Sequence, residues 1–474
     1  MTRRAVWFRR DLRLNDHTAL AKALEHTKDD DQIVLFFHIH PSLNESFTSR
    51  HDYFFQTLKS HVDRAEELKA PIHFIHGETE EAFRHLIDDL NVEMVYFNRD
   101  EVGFGKERDE SMTEYLSDHE VEVYSYIDHH LHGADEVKKN DGGFYKVFSP
   151  YLKKWKQLQK PAIQRVDLDK LSLVAIDERE AFSNGQQAYD DLIKKTGDAY
   201  ERVGEKDALK RLEHFLDEDI YDYDERRDFP AIDGTSLMSR FLRTGAISIR
   251  TIYHKIEEEV DFRKNTSGVD TYISELAWRD FYNMIYHYFP DANSTEMVEK
   301  YRGIPWNNDD ELLEKWKEGQ TGFPLIDAAM RQLNETGWMH NRLRMAVASF
   351  LTKDLLMDWR EGERYFSERL VDYDPASNIG GWQWAASTGT DPVPYFRVFN
   401  PTRQSERFDP HGRFIKEWLP ELENVKKKHI HEPSKMTEEE QQEAGCIIGE
   451  DYPEPIVDHK TMRERAIEMF KDKS

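Results

Sequence analysis

The stretch QIVLFFHI, at Gln32–Ile39, is a short run rich in β-branched and aromatic residues, as buried strands are. It is followed by YFFQTLKSHVDRAEEL at Tyr53–Leu68, whose length and apolar spacing are typical of a helix. A strand followed by a helix, repeated along a chain, predicts a parallel, doubly wound sheet. Ligands of such sheets bind beyond the carboxyl ends of the strands.

The same alternation extends over residues 1–130, where we predict a Rossmann-like α/β domain. A further helix-length segment is ETEEAFRHLIDDL, at Glu78–Leu90. The further strand-like runs are RAVWFRR, IHFIHG, EMVYFN and VEVYSY. Residues 131–203 are polar and irregular in pattern, which predicts a long interdomain linker.

From Gly204 onward, helical periodicity dominates and strand-like alternation is scarce. The clearest helical segments are EKDALKRLEHFL, at Glu205–Leu216, and GWMHNRLRMAVASFLTKDLLMDW, at Gly337–Trp359. We therefore predict a larger all-helical domain over residues 204–474. Its last part, residues 435–474, is highly charged, and we expect it to be only partly ordered.

Composition excludes several classes of protein. The chain has 474 residues, of which 38% are hydrophobic, which suits two or three domains with large cores. The longest apolar run is IVLFF, at Ile33–Phe37, which is too short to span a membrane. The N-terminus lacks the apolar segment and cleavage site of a signal peptide. The single cysteine, Cys446, excludes an internal disulfide. We expect a cytoplasmic protein.

The formal net charge of -27 argues against a uniformly basic nucleic-acid binder. It leaves room for a local basic groove, because phosphate contacts are local. The acidity is concentrated in the N-terminal part, while residues 331–410 are nearly balanced in charge. We therefore expect any anionic partner to bind the C-terminal half.

The histidine-rich stretches FHIHP and IDHHLHG, at Phe37–Pro41 and Ile127–Gly133, look like metal ligands. They lack the helical His pairing with glutamate that zinc proteases show, and we interpret them as surface or strand-end histidines. The chain contains no Walker loop, G-x-S-x-G or G-x-G-x-x-G motif. A conventional ATP- or NAD-dependent enzyme is therefore disfavoured.

Two other stretches suggest a polar pocket. In GTSLMSRFLRTGAIS, at Gly234–Ser248, a glycine and two hydroxyl residues precede a helical run, which indicates an N-cap and an anion site or simply a capped helix. In WMHNRLRMAVASF, residues Asn341, Arg344 and Met345 share one helix face. A buried arginine needs a carboxylate.

That carboxylate could come from VDYDPASN, at Val371–Asn378, which contains Asp372 and Asp374. Two aspartates before a proline could equally act in a turn. The next stretch, NIGGWQWAASTGTDP at Asn378–Pro392, sets two tryptophans beside a glycine pair. These indoles either pack in a core or stack near a flat cofactor, and the stretch alone favours packing.

Taken together, these stretches resemble the photolyase/cryptochrome family, above all its bacterial class I cyclobutane pyrimidine dimer photolyases. ELAWRDFY, at Glu275–Tyr282, and VWFRRDLRLNDHTAL, at Val6–Leu20, complete the resemblance, which covers nearly the whole chain. The family has an N-terminal α/β domain, a long linker and a helical domain that holds FAD. The resemblance therefore implies the same organisation here.

The resemblance also implies roles for individual residues. Asn378 would face N5 of the flavin, and Arg344 would pair with Asp372 beside it. The implied FAD-binding positions are Tyr223, Thr235, Ser236, Leu237, Met238, Ser239, Arg344, Asp372, Tyr373, Asp374 and Asn378. An electron-transfer chain would run from Trp382 through Trp359 to Trp306 at the surface. Gly380 and Gly381 would allow close approach to the cofactor, and Trp384 is assigned to packing.

The implied activity is the light-driven splitting of cyclobutane pyrimidine dimers by an electron from reduced FAD. Photolyases are among the enzymes known to flip their target out of the duplex. Trp278 would stack on the flipped dimer, Glu275 would hydrogen-bond its edges, and Met345 would line the same pocket. The further implied DNA-binding positions are Arg227, Arg279, Tyr282, Asn341, Arg342 and Gln404. We expect a monomer.

One departure concerns a second, antenna chromophore. Relatives that bind 5,10-methenyltetrahydrofolate often carry an Asn-Glu pair where this chain has Phe104 and Gly105. Folate, a deazaflavin and no antenna therefore remain open. Two alternative functions also remain: a blue-light photoreceptor of the cryptochrome type, and repair of (6-4) photoproducts. The latter uses histidines at the lesion in this family, whereas this chain presents Asn341 and Met345.

Overall fold

The computed structural model describes residues 2–28, 30–44, 47–261, 264 and 266–473. Its N-terminal part is a five-stranded sheet in the order β3-β2-β1-β4-β5, with every neighbouring pair parallel. The strands are β1 (Arg3–Phe8), β2 (Gln32–Ile39), β3 (Ile72–His76), β4 (Met94–Asn98) and β5 (Glu122–Tyr126). The predicted α/β fold is confirmed, and each predicted strand run overlaps one of these strands.

Four helices connect and cover the sheet: α1 (Thr18–His26), α2 (Ser49–Glu67), α3 (Thr79–Asp88) and α4 (Gly103–Asp118). The central strands carry apolar side chains on both faces, as parallel strands between helix layers do. Val6 of β1, for example, is fully buried and lies between Leu35 of β2 and Tyr96 of β4. Strand order reverses at β1, so the carboxyl ends of β1 and β4 form the crevice at which ligands of such sheets bind.

The segment predicted as an irregular linker contains three helices, and the prediction of irregular structure was wrong. They are α5 (Phe148–Gln157), α6 (Leu168–Val174) and α7 (Ser183–Ile193). Leu171 and Leu192 are fully buried in the core of the α/β part, whereas Trp155 is buried in the helical core. Apolar residues are sparse in this segment, and the buried ones pack against elements distant in sequence, which periodicity does not reveal.

The rest of the chain is helical, and its described residues contain no strand longer than an isolated bridge. The helices are α8 (Gly204–Glu218), α9 (Tyr223–Arg226), α10 (Ser239–Thr244), α11 (Ile249–Glu259), α12 (Ser267–Tyr288), α13 (Asp310–Glu318), α14 (Pro324–Thr336), α15 (Asn341–Ser349), α16 (Trp359–Arg369), α17 (Pro375–Ala385), α18 (Pro401–Phe408), α19 (Arg413–Trp418), α20 (Glu438–Ala444) and α21 (His459–Lys471). A single π-helical turn, Phe350–Asp354, continues α15. Among the described residues, no helix is long and apolar enough to cross a membrane.

The C-terminal segment was expected to be only partly ordered, and this expectation was wrong. It forms α20 and α21, and Cys446, Tyr452 and Phe470 are buried. The hydroxyl of Tyr452 donates to Asp327 of α14 at 2.6 Å. A few buried aromatic side chains therefore anchor an otherwise charged segment to the helical core.

The carboxyl edge of the sheet packs against the helical part through buried ion pairs. Arg250 of α11 contacts Asp16 at 2.9 Å and Asp128 at 2.7 Å, and all three side chains are at most 2% exposed. His129 and His130 are also buried at this interface, just beyond the end of β5, so the IDHHLHG histidines are strand-end residues rather than surface ones. Separating this interface in part would leave a buried charge without its partner, so the ion pairs favour one arrangement of the sheet edge against α11.

Candidate functional site

A cluster of arginines surrounds Asp374 where the sheet edge meets the helical part. Asp374 caps α17, and its carboxylate accepts the N–H of Ser377 at 2.9 Å. Burial acts to raise the pKa of Asp374, but the guanidinium groups of Arg279, Arg243 and Arg10 outweigh it and hold the pKa well below its usual value. These arginines come from α12, α10 and the end of β1, so three separate elements build one positive site.

One buried donor of this cluster lacks a protein partner, because Nη1 of Arg10 has no acceptor among the described residues. Nε of Arg240, which precedes Arg243 by about one turn of α10, is also buried without an acceptor in the described part of the chain. Burial and the neighbouring Arg10 lower the pKa of Arg243 to about 10. Buried donors are normally satisfied, so unpaired ones indicate a ligand that brings acceptors. An anionic group such as a dinucleotide phosphate or a reduced flavin ring fits this site.

The segment predicted to bind phosphate forms a strained loop rather than a helix N-cap. Helix α10 begins at Ser239 with Met238 as its N-cap residue, so the N-cap predicted at Thr235 and Ser236 was wrong. Leu237 has φ of +56°, a left-handed conformation that costs a non-glycine residue energy and is common at ligand clamps. Ser236 Oγ instead accepts the N–H of Met238 at 3.2 Å.

Arg211 of α8 binds this loop through its guanidinium group. Its guanidinium binds the carboxylate of Asp233 at 2.9 Å, the carbonyl of Ser236 at 3.1 Å and the carbonyl of Thr235. Within the described part of the chain, nothing accepts the backbone N–H groups of Thr235, Ser236 and Leu237. A loop whose carbonyls are engaged and whose N–H groups are free suits an anion. Tyr223 of α9, which precedes this loop in the sequence, is buried and packs edge-on against Tyr272.

The predicted Arg344–Asp372 pair is present. Nη2 of Arg344 lies 3.0 and 2.8 Å from the two carboxylate oxygens of Asp372, and Nε donates to the carbonyl of Met339 at 2.8 Å. The Asp372 side chain is buried, whereas that of Arg344 is 27% exposed. The turn alternative also holds in part, because Asp374 caps α17 while it faces the arginine cluster.

Asn378 belongs to a hydrogen-bonded group that the sequence did not reveal. Its Nδ2 donates to the backbone carbonyl of Glu363 at 3.2 Å and to Oε1 of Glu363 at 3.0 Å. The hydroxyl of Tyr373 donates to the same Oε1 at 3.0 Å. Because a backbone carbonyl only accepts, the amide orientation of Asn378 is determined, and its Oδ1 points away from Glu363.

The three predicted electron-transfer tryptophans differ in exposure. Trp382 is buried, edge-on against Phe366 and Trp316, and Trp359 is fully buried. Trp306 is partly exposed, although its Nε1 is buried without an acceptor among the described residues. Two buried indoles and one partly exposed indole are compatible with a path from the interior to the surface, and the role itself stays a prediction.

Glycines control the approach to Trp382. A Cβ at Gly362 of α16 would lie 2.0 Å from the six-membered part of the Trp382 indole. A Cβ at Gly380 would lie 2.2 Å from the ring of Tyr282, so that glycine admits a protein side chain rather than the predicted cofactor. A Cβ at Gly381 would have no described atom within 4 Å, so this position alone of the pair leaves room for a ligand.

The predicted lesion-pocket residues lie on α12 and its neighbours. Glu275 forms an ion pair with Arg227 at 2.7 Å, so it is not an isolated surface glutamate. Trp278 is partly exposed, and Tyr282 stacks beside it with a ring-centroid distance of 5.4 Å. Arg279 was predicted to bind DNA, but its guanidinium donates to the carbonyl of His129 and faces Asp374. It therefore belongs to the arginine cluster.

The remaining predicted DNA contacts lie on α15 and α18. Asn341 is exposed and its Nδ2 contacts Sδ of Met345 at 3.8 Å, while Arg342 pairs with Asp228 at 2.8 Å. Helix α18 carries Gln404 and two exposed arginines that sequence reasoning missed, Arg403 and Arg407. Neither forms an ion pair among the described residues. Two arginines close together in an acidic chain were the sequence signal that could have indicated a DNA-binding helix.

Comparison with known proteins identifies relatives of this arrangement. A family model described as "DNA photolyase" matches residues 4–167, and one described as "FAD binding domain of DNA photolyase" matches residues 272–472. A deoxyribodipyrimidine photo-lyase from Alkalihalophilus pseudofirmus is 46% identical over 99% of this chain and 98% of its own length.

Two solved structures share the whole fold. A cryptochrome from Synechocystis superposes with a TM-score of 0.88 at 26% identity, over 99% of each chain. An archaeal photolyase from Sulfolobus tokodaii, solved with two FAD molecules, superposes with a TM-score of 0.83 at 30% identity, over 99% of this chain and 100% of that one.

Proposed function

This chain belongs to the DNA photolyase family, and we propose that it binds FAD and uses light to split cyclobutane pyrimidine dimers in DNA. The observation that carries the proposal is the arginine cluster around Asp374, in which the buried Nη1 of Arg10 is unpaired and calls for a ligand that brings an acceptor. The cluster lies where the sheet edge meets the helical part, and its members Arg279 and Asp374 fall within residues 272–472, which the FAD-binding family model matches. The relative that is 46% identical over nearly the whole chain is named as this enzyme.

The residues that would hold FAD fall into two groups. The N–H groups of Thr235, Ser236 and Leu237, which have no acceptor among the described residues, would bind its phosphates. Arg344, Asp372, Asp374 and Asn378 would surround the flavin ring. When bound, reduced FAD supplies light absorption and the transferred electron. The positive cluster would favour an anionic, reduced ring, because opposite charge stabilises the ionised form.

The DNA side of the proposal uses α12, α15 and α18. Arg342, Gln404 and the unpaired arginines of α18 would contact phosphates, which position the duplex without reading sequence. Trp278 would stack on the flipped dimer, and Glu275 would accept hydrogen bonds from its N–H edges. One electron would enter the dimer, the two carbon–carbon bonds that join the pyrimidines would break, and the electron would return, so that no net oxidation occurs.

The tryptophans would serve a separate step, in which oxidised flavin regains electrons. Trp382, Trp359 and Trp306 would pass an electron inward from solvent. The fall in burial from Trp382 to Trp306 supports this direction. Repair itself would not require them.

The alternatives are less well supported. The full-length match to a photo-lyase does not favour a cryptochrome photoreceptor. Repair of (6-4) photoproducts needs histidine at the lesion, but His340 is buried and its Nδ1 accepts the N–H of Arg342. Burial lowers the pKa of His340 to about 4, so its ring is neutral and unsuited to donate a proton. We place the enzyme in the cytoplasm as a monomer.

Whether the protein binds a second, antenna chromophore, and which one, is a separate question. A cavity of about 500 Å³ lies between β4, α4 and α12, and its lining includes Glu101, Lys106 and His287. A Cβ at Gly105 would lie 2.5 Å from the carboxylate of Asp100, so a larger residue does not fit there without displacing that side chain. An absorption spectrum of the purified protein, before and after acid release of its chromophores, would distinguish folate, deazaflavin and FAD alone.

The proposed function is tested with two defined substrates. Oligonucleotides carrying one cyclobutane thymine dimer or one (6-4) photoproduct are mixed with the reduced protein and illuminated with blue light. We expect the cyclobutane dimer to disappear only in the light, and the (6-4) photoproduct to persist. If a protein that retains FAD leaves the cyclobutane dimer unrepaired in the light, the proposal is overturned.

A further inference from the structure

Helix α5, in the segment between the two parts of the molecule, sends an aromatic ring onto Trp278. The ring of Phe148 lies with its centroid 3.6 Å from that of Trp278, at an interplanar angle of only 8°. Most aromatic pairs in proteins have centroids about 4.5–7 Å apart, so this overlap is unusually close. One face of the Trp278 indole is therefore covered by a protein ring.

Other contacts keep this pair in place. Phe281, one turn along α12, packs edge-on against both rings, at 5.6 Å from Phe148 and 5.4 Å from Trp278. The N–H of Phe148 donates to the carboxylate of Asp391 at 3.1 Å. Asp391 follows α17 and has φ of +48°. Phe148 thus ties the interdomain segment to α12 and to the loop that ends the tryptophan-rich stretch.

The pair lies at the edge of the protein rather than in its interior. Phe148 is 7% exposed, but its neighbours Val147 and Ser149 are exposed and Trp278 is only partly buried. Tyr282 also packs against the indole, with a centroid distance of 5.4 Å, so the part of Trp278 that stays exposed is what a ligand could contact. A buried backing ring also restricts the rotamers of Trp278, so a ligand that stacks on it loses less conformational entropy on binding.

We propose that Phe148 is a positioning residue of the lesion pocket, which holds Trp278 in the orientation that stacks on a flipped pyrimidine dimer. The inference rests on the proposed function, because it assumes that Trp278 contacts the dimer. It assigns the segment between the domains an indirect part in recognising damage, through Trp278. Phe148 itself does not touch DNA in this account.

A matched control exists in the same segment. Phe144 stacks on Tyr288 with a centroid distance of 4.2 Å and an interplanar angle of 10°. This pair is also an aromatic sandwich between the interdomain segment and α12, but it does not include Trp278. Truncating Phe144 removes a similar amount of packing without loosening the indole.

The experiment measures equilibrium affinity for matched oligonucleotides with and without one thymine dimer. The proteins are wild type, Phe148→Leu, Phe148→Tyr, Phe144→Leu, Trp278→Ala and the double variant F148L/W278A, each with its FAD content and melting temperature. We expect F148L to weaken binding of dimer-containing DNA about 3–10-fold, the scale of one side chain losing its preorganisation. Binding of undamaged DNA should be unchanged, F148Y should restore affinity, and F144L should behave as wild type.

In the W278A background, F148L should have no further effect, because the residue that it positions is absent. An equal loss in both backgrounds, an equal loss on undamaged DNA, or no loss at all would overturn the inference. If F148L destabilises the fold, the inference is still tested by whether F148Y keeps wild-type affinity and whether the loss caused by F148L disappears in the W278A background. A separate failure, in which W278A leaves dimer affinity intact, would remove the lesion pocket of the proposed function instead.

Discussion

Replacing Gly362 by alanine tests the packing around Trp382. The added Cβ would lie 2.0, 2.4 and 2.6 Å from three atoms of the six-membered indole ring, whereas carbon atoms pack at about 3.5–4.0 Å. Phe366 and Trp316 enclose the ring, so it cannot move aside freely. Overpacking costs about 1–3 kcal/mol, and alanine regains about 1 kcal/mol of helix propensity. Three overlaps place the cost at the upper end, so we expect a net loss of about 1–2 kcal/mol in unfolding free energy.

The Trp382→Phe background provides the control. Phenylalanine lacks the indole atoms that clash, so Gly362→Ala should there be neutral or stabilising by up to about 1 kcal/mol. The assay is denaturant unfolding of the four proteins, followed by helical circular dichroism. Photoreduction of bound, oxidised FAD should also slow in G362A alone, because the indole must shift. An equal cost of G362A in both backgrounds would show that the clash with Trp382 does not determine the effect.

Three further predictions concern DNA binding and stability. Arg342→Ala should weaken binding of damaged and undamaged DNA alike and reduce the salt slope of log K by about 1, which a salt titration checks. Glu275→Ala should reduce affinity for dimer-containing DNA by about 1–3 kcal/mol, while FAD content is unchanged; equal affinity in a binding assay would contradict its lesion contact. Burial raises the pKa of Asp354 to about 6, against the opposing effect of His459, so the folded state holds the proton more tightly than the unfolded state. Unfolding free energy should therefore fall as pH rises from about 4 to about 6, and Asp354→Asn should flatten that profile in denaturant titrations.

The sequence predicted the sheet well because its strands are buried on both faces. Runs such as QIVLFFHI carry that burial in consecutive residues, so no distant contact is needed to recognise them. The helical character of the C-terminal half was equally clear from local periodicity. The segment around Leu171 was missed because its few apolar residues are buried by a sheet that lies far away in sequence.

The candidate site was predicted only in part, because several of its contacts join residues that are distant in sequence. The Arg344–Asp372 pair was predicted correctly, but by the family resemblance, because the residues alone left both Asp372 and Asp374 as candidate partners. The N-cap at Thr235 failed because Arg211, on another helix, holds the carbonyls of that loop. Glu363 and Phe148 were missed because their importance depends on partners that only folding brings together: Asn378 for one and Trp278 for the other.

The measurement that tests the central claim most directly is the number of thymine dimers split per bound FAD. Reduced protein is illuminated anaerobically with excess dimer-containing DNA and no added reductant, and repaired thymines are counted by chromatography beside a dark control. Because the electron returns after each cleavage, we predict many dimers split per flavin, none in the dark, and a flavin still reduced at the end. A yield that stops at one dimer per flavin, or light-driven oxidation of the flavin without repair, would contradict the account.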